Sequence, residues 1–317
     1  MGELAKINDI EIWYEEFGNK SQEPILLIMG ANANCKQWPQ EFIDELLAND
    51  FRVIRFDNRD VGKSTWFGKE PTYNKFLKIL PEFFLKMIVN RIFGLAVDNK
   101  GKFKFSESDS MQYDLSDMAK DAVSLMDSLS IEKAHIVGAS MGGMITQIIA
   151  LDYPEKVKSI TPIMTTPGIQ NESLSGPSKE LLNAMKKSFV MNLKGRVEDG
   201  VVEIYKQLTG SRFPFYEQDF RNKLAPIVEH GNNPFALHGA AIGASPDRTS
   251  RLNEINVPTL VIHGTEDAIL PLDHGIALAD GIKNSTRMIM DRVGHEIPEQ
   301  LYSEIVSAIV ENIKRAS

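Results

Sequence analysis

Cysteine is nearly missing from this 317-residue chain: Cys35 stands alone, which excludes an internal disulfide and a cysteine-built zinc site and fits a reducing compartment. Basic charge is short as well. Thirty-five Lys and Arg against 43 Asp and Glu leave a net charge of −8, so the cationic surplus that nucleic-acid binding draws on is lacking and nucleic acid is not an expected partner. No uncharged apolar run reaches the length of a membrane span, the nearest being broken by Lys78, Glu82, Lys86 and Arg91, so stable membrane insertion is not expected. The opening residues Met1-Gly2-Glu3-Leu4-Ala5-Lys6 have neither the basic n-region nor the apolar h-region of a secretory signal, and Lys6 stands where a myristoylation signal has Ser or Thr. A cytoplasmic location is the expectation. Fixed-period repeats and low-complexity tracts are absent too.

What is present is a chain that is 43% hydrophobic and 25% charged, the balance of a globular protein with a substantial core. Its length suits one large domain, or a core domain with an insertion. Alternation of apolar and polar residues on either side of Asn8-Asp9 predicts a β-hairpin over residues 5 to 17. Continuous apolar runs at 25–28, 53–56 and 135–137 read as buried strands, helical periodicity at 40–48, 114–129 and 141–152 falls between and after them, and the later runs at 159–164, 259–262 and 287–290 are expected to complete the sheet. Strands alternating with helices predict a parallel sheet with right-handed crossovers. Two stretches interrupt the rhythm. Residues 167–250 show helical patterns and no convincing strand, which predicts a helical cap above the sheet. Residues 67–112 form an apolar insertion in which Lys78, Glu82, Lys86 and Asn90 recur every fourth position, as a polar stripe along one helical face. The segment 76–97 within it has three open readings: a helix packed at a pocket mouth, a homodimer contact, or a membrane-surface helix.

The chemistry concentrates at strand ends. Gly138-Ala139-Ser140-Met141-Gly142 lies between a strand and a helix, the context a Gly-X-Ser-X-Gly nucleophile elbow requires. A serine hydroxyl is a weak nucleophile and needs a base, itself oriented by a carboxylate. The strand at 259–262 runs into His263-Gly264-Thr265-Glu266-Asp267 and the strand at 287–290 into Asp291-Arg292-Val293-Gly294-His295, so a carboxylate and an imidazole reach the edge that carries Ser140. Asp267 is the expected acid, with Glu266 its rival, and His295 the expected base. His135, His230, His238, His263 and His274 read as structural, although His238 has a place at the pocket as an alternative. The oxyanion donors are expected to be the amides of Met141, after the nucleophile, and Ala31, in the small-residue loop Gly30-Ala31-Asn32-Ala33-Asn34.

On these motifs, together with the Asp57-Asn58-Arg59-Asp60-Val61-Gly62-Lys63-Ser64 turn, the chain resembles the cap-bearing esterase and haloperoxidase-like α/β-hydrolases over nearly its whole length. Met29-Gly30-Ala31-Asn32 through Trp38-Pro39, the Arg55–Asp60 run, and Ser140-Met141-Gly142 through Ile145-Thr146-Gln147 are similar to the aclacinomycin methylesterase group. The resemblance implies the α/β-hydrolase fold, a mostly parallel sheet flanked by helices with an inserted helical cap. The core would then comprise residues 1–166 and 251–317, the cap residues 167–250. Met29-Gly30 stands where most relatives have His-Gly, a feature shared with the methylesterase group.

The reaction expected from this set is carboxylic ester hydrolysis through Ser140, His295 and Asp267, with a small-molecule ester as partner and neither metal nor cofactor. Alternatives from the same triad are carbon–carbon hydrolysis of meta-cleavage products and perhydrolysis. A ligand-binding receptor on the same fold is the reading from a different class. Arg212, Arg221 and Arg248 are the cap cations available to grip an anionic substrate, and none has the setting of a pocket group, so neutral short-to-medium or aromatic esters are expected.

Overall fold

The computed structural model describes residues 2–69, 74–98, 101–104, 112–231 and 233–316. Strands β1 (Glu3–Ile7) and β2 (Ile10–Phe17) form the opening hairpin, turned by Asn8 and Asp9 at φ 46° and 63°. Two positive φ values in succession give a turn whose twist matches that of the strands, and Asn and Asp tolerate them. There follow β3 (Glu23–Ile28), α1 (Gln40–Leu47) and β4 (Phe51–Phe56), then α2 (Asn74–Ile79) and α3 (Glu82–Ala96). Next come α4 (Leu115–Ser128), β5 (Ala134–Ala139), α5 (Met141–Asp152) and β6 (Val157–Ile163). Four helices intervene before the sheet resumes: α6 (Lys179–Leu193), α7 (Val197–Leu208), α8 (Glu217–His230) and α9 (His238–Ala244). The chain ends with β7 (Thr259–Gly264), α10 (Leu272–Gly281), β8 (Ser285–Met290) and α11 (Tyr302–Lys314).

The eight strands make one sheet in the order β1-β2-β4-β3-β5-β6-β7-β8. The pairs β1/β2 and β2/β4 are antiparallel and all the others parallel, so β3 and β5 to β8 deliver their carboxyl ends to one edge. Because strand side chains alternate, Ile25, Leu27, Val53, Val137 and Ile262 enter the core closed by α1 and α11. Leu26, Ile28, Ile54, Ile136 and Val261 point the other way, against α4, α5 and α10. Both faces are therefore dry, which is why these strands read as unbroken apolar runs. The start of α4 is set by a capping box, in which Asp114 accepts from the Asp117 amide and Asp117 from the Asp114 amide.

In the insertion the four-residue polar periodicity does not make one face. Lys78 belongs to α2 and Glu82, Lys86 and Asn90 to α3, because Pro81 lacks an amide proton and starts a new helix. Helix α3 buries Leu85 and Val89 against Val190 and Leu193 of α6.

His135, in the middle of the sheet, bonds Ser159 on β6 through Nδ1 (2.8 Å) and meets the Glu23 carboxylate through Nε2 (3.2 Å). Burial pushes its pKa down to about 4, with Glu23 opposing only in part. An unfolded histidine titrates near 6.5, so between these values the folded molecule binds fewer protons than the unfolded chain. The stability that follows is present above pH 6.5 and is lost as pH falls towards 4. Urea unfolding should show about 2 kcal/mol less stability at pH 5 than at pH 7 from this residue, and His135→Gln should flatten that slope; an unchanged slope in the variant would contradict the assignment.

Candidate active site

Ser140 stands between β5 and α5 at φ 54°, ψ −118°, a strained conformation for a residue with a side chain, costing on the order of 1–3 kcal/mol. Its flanking glycines are what let the turn close. A β-carbon on Gly138 would meet the Gly142 carbonyl at 2.3 Å, and one on Gly142 would meet the Ile28 carbonyl at 2.0 Å. The backbone is pinned on both sides: the Ser140 amide donates to Ile163 O (2.9 Å), and its carbonyl accepts from Thr165 Oγ1 (2.7 Å) and from the Gly143 amide (2.9 Å). The half-buried side chain thus stands at the amino end of α5, where the helix dipole favours negative charge.

Asp267 is buried on the loop after β7. Its Oδ1 accepts from the amides of Ile269 (3.0 Å) and Leu270 (2.8 Å), which leaves Oδ2 for His295 Nδ1 at 2.7 Å. His263 adds a longer contact to Oδ2 at 3.4 Å while its Nε2 donates to Leu270 O at 2.7 Å. Burial alone would raise the Asp267 pKa, but the charge on His295 and the hydrogen bonds from His263 and His295 outweigh it and hold the carboxyl far below the usual range. The acid therefore stays ionised at any pH near neutral. Glu266 points elsewhere, accepting from the Ser211 amide (2.6 Å) and hydroxyl (2.9 Å) in the connection between α7 and α8. The structure thus brings Asp267, and not Glu266, to His295. Among the described residues the Ser140 hydroxyl makes no hydrogen bond, so His295 and Ser140 share the sheet edge without being joined. Loose serine–base geometry of this kind is common in an enzyme without substrate.

The two expected amide donors flank Ser140. Met141 opens α5, so its N–H has no acceptor within the helix, and the Ala31 N–H donates to no described residue. Gly30 leaves room there, since a β-carbon on it would come within 3.1 Å of Ser140 Cβ. The loop is held from the cap. Asn32, at φ 57°, donates its amide to His238 Nδ1 (2.8 Å), and His238 Nε2 donates to Arg59 O (2.8 Å). An amide can only donate, so this His238 is the neutral tautomer with its proton on Nε2, and burial lowers its pKa accordingly. Asn34 Nδ2 reaches two carbonyls at the end of α8, Ile227 O and Gly231 O, both at 2.8 Å. From the sequence His263 reads as structural, and His238 as structural with a place at the pocket as the alternative. Only the four-residue spacing from His263 to Asp267 is a local signal; nothing near His238 in the chain announces Asn32.

Cys35, Asp57 and His230 offer ligand atoms within 4.8 Å of one another, all buried. Their polar groups already satisfy each other: His230 Nε2 meets Asp57 Oδ2 at 2.7 Å, and the Cys35 amide donates to Asp57 Oδ1 at 2.8 Å. Burial and the neighbouring Asp57 raise the Cys35 thiol well above its ordinary range, so the free side chain is held as the neutral thiol. The cluster works as a latch between core and cap.

A strained serine at a helix amino end, two amides beside it and a charged Asp–His pair on the same edge form a set that can stabilise an oxyanion and accept a proton. Residues 23–300 match the α/β hydrolase fold family. The chain belongs to the α/β hydrolase family. This α/β hydrolase is 26% identical over 332 residues to rhodomycin D methylesterase DauP of Streptomyces sp. (strain C5), covering 98% of the chain and 97% of that protein. It is 33% identical to the 2-hydroxy-6-oxononadienedioate/2-hydroxy-6-oxononatrienedioate hydrolase 1 of Pseudomonas putida over 177 residues, 54% of this chain and 59% of that one. The bromoperoxidase from Bacillus anthracis superposes with a TM-score of 0.70 at 19% identity, covering 99% of this chain and 100% of that chain, a likeness of fold.

The two neighbouring carboxylates of this hydrolase are separable by substitution. Asp267→Asn should lower hydrolytic turnover by about 10³–10⁴, because an amide cannot hold His295 in the tautomer that leaves Nε2 free to accept. Glu266→Gln should keep turnover within about threefold, since it alters only the exposed Ser211 contact. Steady-state assays of both variants, with the opposite ranking, would reverse the roles.

Proposed function

We propose that the chain is a cytoplasmic serine hydrolase of carboxylic esters. Ser140 Oγ attacks the ester carbonyl, His295 Nε2 takes its proton and returns it to the leaving alcohol, and Asp267 orients the imidazole and stabilises its cationic form. The Ala31 and Met141 amides hold the oxyanion of the tetrahedral intermediate. The alcohol leaves an acyl-enzyme on Ser140, which water, activated by the same histidine, then cleaves. The scheme calls for no cofactor. The observation that carries this reading is the 2.7 Å His295–Asp267 hydrogen bond on the sheet edge that bears the strained Ser140.

The substrate side follows from the cap cations. Arg221 is taken up by Glu198, Asp199 and Glu217. Arg248 is buried against Gln147, Ser245 and two carbonyls, and burial pushes its pKa down to about 10. Arg212 is exposed and lies over the Phe213 ring. With these arginines so engaged, a neutral ester with a short-to-medium or aromatic group is the substrate class we infer, in line with the full-length similarity to a methylesterase. The partial similarity to a dienoate hydrolase favours carbon–carbon hydrolysis as the second reading.

Ser140→Ala should abolish measurable ester hydrolysis and labelling by a fluorophosphonate probe while the unfolding midpoint holds or rises, because the strained serine is removed from chemistry and not from the core. Across a panel, neutral esters should exceed an anionic meta-cleavage dienoate by at least about tenfold in kcat/KM. Unchanged turnover in the variant would remove the triad reading, and a dienoate cleaved faster than every ester would move the assignment to the second.

A further inference from the structure

Seven of the fifteen large hydrophobic side chains exposed among the described residues fall within 76–95, on α2 and α3. Ile79 is 79% exposed, Leu95 71%, Phe76 69% and Phe83 64%, values close to those of a free peptide. Only Leu85 and Val89 of α3 are buried, against α6. At 100° per residue Phe83, Phe84, Met87 and Leu95 spread over the half of α3 that faces away from α6, while Ile92 lies on the side of Leu85 and is still 49% exposed. The Phe83 and Phe84 rings lie against each other at 3.9 Å on that half. The polar residues Glu82, Lys86 and Asn90 form a strip along one border, with Glu82 and Lys86 paired at 3.0 Å. A stretch of apolar surface this continuous is rare on a monomer unless something covers it.

Charge says what covers it. From residue 69 to residue 104 there are eight Lys and Arg against three Asp and Glu, a local charge of +5 in a chain whose total is −8. The rest of the molecule therefore carries −13, and this cationic stretch coincides with the most apolar surface among the described residues. Lys186 of α6 lies alongside, over the Phe93 ring. Arg91 projects from the middle of the exposed apolar half and has no ion-pair partner among the described residues. A second copy of this chain is a poor occupant, because two-fold pairing would set one cationic face, Arg91 included, against another. An anionic lipid surface satisfies both properties at once: apolar side chains enter the acyl boundary, and Lys and Arg reach back to the phosphates.

We propose that the α2–α3 hairpin is a peripheral docking surface for anionic phospholipid bilayers, with α3 lying flat in the headgroup layer. The mode is interfacial and not spanning, since no described helix is long and apolar enough to cross a membrane. The 15 residues of α3 give a contact about 22 Å long.

The test is flotation of the full chain with vesicles of phosphatidylcholine alone and of phosphatidylcholine containing one-quarter phosphatidylglycerol. Wild type should partition onto the anionic vesicles at least about tenfold more than onto the neutral ones, and raising salt from about 0.1 M to 0.5 M should weaken the binding. The double variant Phe83→Asp/Leu95→Asp should lose at least about tenfold in partitioning, and Arg91→Glu a smaller factor. All replaced side chains are exposed, so far-UV circular dichroism and hydrolysis of a water-soluble acetate ester should remain at wild-type level. Absence of wild-type partitioning, or equal partitioning of the variants, would overturn the proposal. So would a wild-type dimer in sedimentation that Phe83→Asp/Leu95→Asp dissociates without either form floating, which would assign the face to a second copy. Partitioning is measured without substrate, so it fails or succeeds independently of the esterase reading.

Discussion

Two buried carboxylates three residues apart in one turn hold this molecule together. Asp57 accepts from the amides of Cys35 and Lys63 and from His230 of the cap. Asp60 accepts from the amides of Phe67, Gly68 and Leu237, from Tyr113 and from Asn233. Burying an anion is costly, and burial pulls the Asp60 pKa upward; the ring of N–H and O–H donors from Leu237, Gly68, Tyr113 and Phe67 more than reverses the pull. Between them lies Arg59, paired through both Nε and Nη2 with Asp121 of α4 at 2.7 and 2.8 Å. One short turn after β4 thereby orders the loop around Cys35, the start of the insertion, the helix layer and the cap.

This arrangement couples the cap to the site more tightly than a lid over an independent core. Several elements of the site have a tether running into the cap. Asn32 is held by His238, Asn34 by the end of α8, Glu266 by Ser211, and the His295 amide donates to Leu208 O, the last residue of α7, at 2.7 Å. Gly294 fits there because a β-carbon on it would lie 1.9 Å from that same carbonyl. Ser140 and Asp267 are held by core groups alone, Ser140 by Ile163, Thr165 and Gly143 and Asp267 by Ile269, Leu270, His263 and His295. Ser140 is thus positioned by the core, while His295 and the Gly30–Asn34 loop are positioned jointly by core and cap.

Legibility of the sequence divides along the same line. The strands at 25–28, 53–56, 135–137 and 259–262 were readable because both faces of the sheet are buried, so no polar alternation breaks the run. The elbow was readable because close backbone contact leaves glycine as the only choice on either side of Ser140. The proximity of Asp267 and His295 followed from strand direction, and the choice between Asp267 and Glu266 did not, because it depends on Ser211, some 55 residues away. Contacts from Asn32 to His238 and from Asp57 to His230 span 206 and 173 residues and leave no periodic trace. The insertion was misread as one helical face for a local reason, the break at Pro81.

The shared hydrogen bonds also determine what evolution or engineering can exchange. A cap from another member of the family cannot simply be spliced between β6 and β7, because His230, Asn233, the Leu237 amide and His238 are partners the core requires to keep Asp57, Asp60 and the Asn32 amide satisfied. A transplant that carries these four positions can vary the surfaces of α6 and α7 freely; one that omits them leaves two buried anions short of donors. Exchange in this chain is therefore easiest on the outer surfaces of α6 and α7, while the second half of the cap is bound to the turn that carries Asp57 and Asp60.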